Sequence, residues 1–114
     1  MKHIKTGLKR GQFDVLAATR SAQAAKMTLR PGGVSDSEPG NEHPRSEQWL
    51  FVISGTGEAI IGKRRDALHR VGLRTNSLLL IAKGELHRIK NTGKRSLVTI
   101  NFYVPPAYDG DEPK

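Results

Sequence analysis

Two histidines stand at the mouths of two apolar runs, and theirs are the side chains best placed for chemistry. His43 lies in Gly40-Asn41-Glu42-His43-Pro44-Arg45-Ser46-Glu47, a polar stretch that passes directly into Gln48-Trp49-Leu50-Phe51-Val52-Ile53 and stops at Gly55-Thr56-Gly57. His87 lies in Gly84-Glu85-Leu86-His87-Arg88-Ile89-Lys90-Asn91, again behind a glycine and at the start of a strand-like segment. Imidazole titrates near neutrality and readily ligates metals, so two of them brought to one pocket could move protons or hold a ligand.

Strand alternation decides which neighbours share that pocket. Gln48, Leu50 and Val52 form one set and Trp49, Phe51 and Ile53 the other. With Gln48 directed inward, the bulky set points away, and an apolar face of that size is not left in water. Either the N-terminal strands or a second subunit must cover it, which leads us to expect a homodimer. His87, Ile89 and Asn91 alternate together, and Asn41 shares a face with His43 if their segment is extended.

The remaining elements follow from turn residues and short apolar runs. Strands are expected at Phe13–Thr19, Ala22–Arg30, Gln48–Ile53, Glu58–Gly62, Asp66–Val71, Leu78–Ile81, Leu86–Lys90 and Leu97–Val104. The alanines of the second also permit a short helix, and Pro31-Gly32-Gly33 stops it either way. The Leu78–Ile81 run reads as core. Residues 31–46 are nearly all loop formers, and so long a polar loop in a compact domain is functional or disordered. The strand behind it favours function. Many short strands with glycine turns argue an all-β sandwich or barrel.

Composition bounds the rest. The chain has 114 residues and no cysteine, which fits one domain and removes disulfides, thiolate metal sites and a cysteine nucleophile. No apolar run approaches the roughly 18 residues of a membrane span, and the start lacks a secretory h-region, so a cytoplasmic protein without membrane contact is expected. The formal net charge is +8. The basic residues are dispersed, however, and no aromatic alternates with them as a stacking platform would, so nucleic acid is not an expected partner. The polar tail at 109–114 reads as loose.

The two histidine segments resemble the paired motifs of the cupins, small double-stranded β-helix (jelly-roll) barrels. The first family motif is G-x5-H-x-H-x(3,4)-E-x6-G and the second G-x5-P-x-G-x2-H-x3-N. Counting back from Gly55 puts Gln48 at the glutamate, His43 at the second histidine and Asn41 at the first. In the second motif Gly84, His87 and Asn91 fit, while Asn76 stands for the leading glycine and Ala82 for the proline. The resemblance covers about residues 24–106 of a single domain spanning 1–114. His43-Pro44-Arg45-Ser46-Glu47-Gln48, with the Tyr103-Val104-Pro105-Pro106 ending, looks like a bacterial single-domain subgroup.

What the resemblance implies is a pocket rather than a reaction. The family set of three histidines and a glutamate holds a divalent transition metal such as Zn, Mn, Fe or Ni. Here it becomes His43, Gln48, His87 and Asn41, a set without formal charge, with Glu47 or Glu42 as secondary ligands if either turns inward. Two readings remain open. A metal held by His43, Gln48 and His87 could act as a Lewis acid in a sugar isomerase or dioxygenase. Alternatively, the same pocket could hold a small molecule, a sugar or an anion, without tightly bound metal and without catalysis. Arg45, Arg88 and Lys90, if they lie at the mouth, would favour the anion. His69 and His3 receive no role, and Gly55, Gly57 and Gly84 serve backbone geometry.

Overall fold

The computed structural model describes residues 1–41, 43–109, 112 and 113. Eight main strands carry the fold: β1 (Phe13–Ala18), β2 (Gln23–Leu29), β3 (Glu47–Ser54), β4 (Gly57–Gly62), β5 (His69–Leu73), β6 (Leu78–Ile81), β7 (Leu86–Asn91) and β8 (Leu97–Val104). Two short strands, β9 (Tyr108–Asp109) and β10 (Glu112–Pro113), pair near the end of the chain. The helix that the alanines of β2 permit does not form. Alternate burial of Gln23, Ala25, Met27 and Leu29 holds that segment extended against the core.

The main strands form two antiparallel sheets, one in the order β1-β2-β8-β3-β6 and one in the order β5-β4-β7. From β3 onward the chain crosses from one sheet to the other and back, the winding of a double-stranded β-helix. The interior draws on both sheets. Met27, Leu29, Leu50, Val52 and Leu97 meet Ala59, Leu73 and Ile89 in one cluster. Each large aliphatic side chain so buried contributes roughly 1.5–3 kcal/mol.

Three stretches differ from expectation for identifiable reasons. β5 begins at His69 because the preceding turn is longer, closed by the Ala67 amide donating to the Arg64 carbonyl at 3.0 Å. Leu78–Ile81 is only half core: Ile81 is buried, but Leu78 and Leu80 face outward with Trp49, Ile53 and Phe102. The N-terminal strands do not cover that outer face. They extend the larger sheet from its β8 side instead.

The turn after β3 depends on glycine. Gly55 has φ +98°, and a Cβ there would come within 2.6 Å of the Ser96 carbonyl oxygen. At Gly57 a Cβ would meet the Lys90 carbonyl oxygen at 2.5 Å. The close approach of β4 to β7 therefore excludes a side chain at that point.

The polar loop before β3 is held along the free edge of β7. Ser35 N donates to the Ile89 carbonyl (2.8 Å), Asn91 N to the Gly33 carbonyl (2.9 Å), and His87 and Gly40 exchange backbone hydrogen bonds. Arg88 Nη1 fastens the Ser37 carbonyl at 2.8 Å. At the other end of the chain Gln23 clamps the segment after β8. Its Oε1 accepts from the amides of Ala107 (3.0 Å) and Tyr108 (2.9 Å), and its Nε2 donates to the Tyr108 carbonyl (3.0 Å).

Candidate functional site

Between the two sheets lies a cavity of about 170 Å³. Its polar contacts are Gln48 from β3, His87 from β7 and Asn101 from β8, with Gln12 just before β1 and Ser35 and Asp36 from the loop held on β7. Its walls are Phe13, Met27, Ile89, Tyr103 and Tyr108. Period-2 alternation explains the strand contributions. Inward positions of β7 are His87, Ile89 and Asn91, and those of β8 are Leu97, Thr99, Asn101 and Tyr103. The Gln23 clamp delivers Tyr108, whose ring packs at a tilt against Phe13 and edge-to-face against Tyr103, with centroid distances of 4.7 and 5.0 Å.

His43 is buried behind this cavity rather than on its lining. Its ring packs 4.8 Å from that of His87 and 5.1 Å from that of Tyr103, centroid to centroid. His43 Nδ1 faces the Ser46 carbonyl at 3.3 Å, and Nε2 lies 2.8 Å from Gln48 Oε1. A neutral imidazole has one N–H, so it cannot donate to both oxygens. If Nδ1–H donates to Ser46, the Gln48 amide must present its NH₂ end to Nε2. His87 Nδ1 likewise faces a backbone carbonyl, that of Glu85, at 3.2 Å. The Nδ1–H tautomer would therefore direct both Nε2 lone pairs away from the backbone.

The residues expected to hold a metal are only partly brought together. His43, Gln48 and His87 converge, whereas Asn41 is half-buried and off the cavity lining. Glu47 lies on the other face of β3, where its carboxylate accepts from Trp49 Nε1 at 3.2 Å. Glu42 lies outside the described residues. Among the described residues no three of His, Cys, Asp and Glu cluster as a metal site. The backbone contacts of both Nδ1 atoms are those of ligating histidines. The Nδ1–H tautomer thus suits ligation by the two histidines, while the neutrality of His43, Gln48 and His87 suits a loosely held ion.

The basic residues expected at the mouth are elsewhere. Arg45 is exposed beside His43 in a separate surface depression with Pro105 and Pro106. Arg88 and Lys90 alternate with His87 and Ile89 and so leave the opposite face of β7. Sequence reasoning missed Asn101, Tyr103 and Tyr108, and also Asp36. Alternation along Leu97–Val104 would have found Thr99 and Asn101 as polar residues on an apolar face. Nothing in the polar run around Asp36 singles it out.

Comparison with known proteins agrees with this architecture. The family profile described as the cupin domain matches residues 25–103, and the chain belongs to the cupin family. Among curated proteins, YrkC of Bacillus subtilis (strain 168) is 28% identical over 82 residues, 71% of this chain and 44% of YrkC. The xanthan biosynthesis protein XanB of Xanthomonas campestris pv. campestris is 31% identical over 98 residues, 86% of this chain but 19% of XanB. The chain thus spans less than half the length of these curated relatives. Among solved structures, the Bacillus halodurans protein BH2720 superposes with a TM-score of 0.83 at 28% identity, covering 95% of this chain and 80% of that one. No helix among the described residues is long and apolar enough to cross a membrane.

Proposed function

We propose that this cupin binds a small molecule in the cavity between its sheets, with Gln48, His87 and Asn101 as polar contacts and Tyr103 and Tyr108 as walls. The carrying observation is that three buried polar side chains from three different strands converge on one cavity that also has an apolar and aromatic wall of Phe13, Met27, Ile89, Tyr103 and Tyr108. That is the make-up of a ligand site rather than of a core, where apolar residues would pack more cheaply. The test is a ligand-observed NMR screen of small metabolites against the wild type and His87→Phe, which fills the cavity. Binding that is lost in the variant supports the reading. Ligands that bind both proteins alike, or none that bind at all, would remove it.

A divalent ion is the second reading, favoured by the backbone contacts of both Nδ1 atoms. His43, Gln48 and His87 would hold it, and it would supply Lewis-acid polarisation of a bound oxygen. Elemental mass spectrometry on protein purified without chelator, for wild type and His87→Ala, decides the matter. About one ion per chain, lost in the variant, supports this reading. No ion, with none taken up on titration, withdraws it.

The outer apolar face is the basis for a homodimer. With β1 and β2 extending the sheet, a second copy of the chain remains the expected cover for Trp49, Leu80 and Phe102.

A further inference from the structure

We infer that the cavity selects a small uncharged hydroxylated compound and that Asn101 is the residue that recognises it. The inference rests on the ligand-cavity reading above and goes further by naming the ligand's chemistry.

Asn101 is 1% exposed, and its Nδ2 has no hydrogen-bond partner. Its Oδ1 accepts from Thr99 Oγ1 at 3.3 Å, and Asn101 is itself on the cavity lining. A buried amide group left without a partner destabilises a fold, and a residue of this kind persists where something else completes it. The two ends of an amide can exchange places. If they do, Nδ2 donates to Thr99 Oγ1 and Oδ1 becomes the unpaired group. A hydroxyl, which both donates and accepts, satisfies either orientation.

Size and charge narrow the class. A dry cavity of about 150 Å³ accommodates one benzene, so the 170 Å³ here takes about six to eight non-hydrogen atoms. The cavity is bordered by one carboxylate, that of Asp36, and by no lysine or arginine. Without a lysine or arginine on the lining, an anion would give up its hydration with no fixed cation to receive it, which favours an uncharged compound. The aromatic rings of Phe13, Tyr103 and Tyr108 offer apolar surface to the carbon skeleton of a short polyol or hydroxyketone.

The experiment titrates the full chain with glycerol, erythritol and dihydroxyacetone, and with glycerate as the anion of matching size, by saturation-transfer NMR and calorimetry. The same titrations are run on Asn101→Leu and Gln48→Leu. We expect an uncharged compound to bind the wild type at least tenfold more tightly than glycerate and to lose at least tenfold in Asn101→Leu. Without ligand, the double variant Thr99→Val/Asn101→Leu should melt about 4 °C or more above the wild type, since it removes the unpaired buried amide together with the hydroxyl bonded to it. A merely structural asparagine would lower the melting temperature when replaced. If glycerate binds as well as the neutral compounds, or if binding is lost in Gln48→Leu but kept in Asn101→Leu, the inference falls while the cavity reading stands. If no compound of either charge binds, the inference falls, and the metabolite screen with His87→Phe decides the cavity reading separately.

Discussion

Asn91 makes three hydrogen bonds with one side chain, and all three are buried or nearly so. Its Nδ2 donates to the Leu29 carbonyl (2.8 Å) and the Arg95 carbonyl (2.7 Å), while its Oδ1 accepts from the Gly93 amide (2.8 Å). It thus fixes the β7–β8 turn and ties it to the end of β2. We predict that Asn91→Ala costs about 2–4 kcal/mol, because it leaves backbone groups unpaired as well as deleting bonds; urea unfolding measures this. Gln48 is the contrasting case, a buried polar residue on the cavity. Gln48→Glu should raise affinity for a divalent ion at least tenfold by adding the anionic ligand that the set lacks, read by calorimetry with Mn²⁺ or Zn²⁺. Motif spacing and alternation together made His43, Gln48 and His87 legible in the sequence. Alternation also shows why Arg88 and Lys90 are not at the mouth: they adjoin inward residues and for that reason face outward. Asn101 was legible in principle, but its unpaired amide depends on Thr99 and on what does not reach it, which spacing does not reveal.

Elements position these residues through contacts distant in sequence. Gln23 sits at the start of β2, yet its amide organises residues 107–108 and with them the Tyr108 wall of the cavity. Gln23→Leu is expected to cost about 2–4 kcal/mol and to speed amide exchange at Ala107 and Tyr108 at least tenfold, followed by hydrogen-exchange mass spectrometry. Gly55→Ala is expected to cost about 2 kcal/mol or more, since the residue combines positive φ with a close carbonyl, and thermal unfolding would register it. The strands were legible because β-branched and aromatic runs alternate between glycine turns. Their pairing was not, since period-2 patterns give a face but no partner. The loop at 31–46 shows the same limit. Composition marked it as irregular, whereas its attachment to β7 depends on backbone groups that every residue carries.

At the scale of the molecule, one outer face remains apolar. Trp49 lies opposite Leu80 on one side and Phe102 on the other, so three exposed apolar residues form a row across β6, β3 and β8. Ile53 and Leu78 extend the patch. Light scattering should report a dimer for the wild type and a monomer for Leu78→Lys/Leu80→Lys, with the fold retained by circular dichroism. A monomeric wild type would remove the homodimer from this reading. The face was legible from Trp49, Phe51 and Ile53. The exposure of Leu78 and Leu80 was not, because a four-residue apolar run gives no hint that alternate members belong to different environments.

The order in which strands enter the larger sheet also bears on how the protein is made. β8, the last long strand, lies between β2 and β3, and pairs Leu97 with Leu29 and Tyr103 with both Gln23 and Gln48. On the ribosome, β2 and β3 must therefore each wait with an unpaired edge until β8 has emerged, while β4, β5 and β7 already have one another to pair with. Nascent chains of this protein should be most dependent on chaperones in that interval, and a stop before Leu97 should leave an aggregating fragment rather than a smaller barrel.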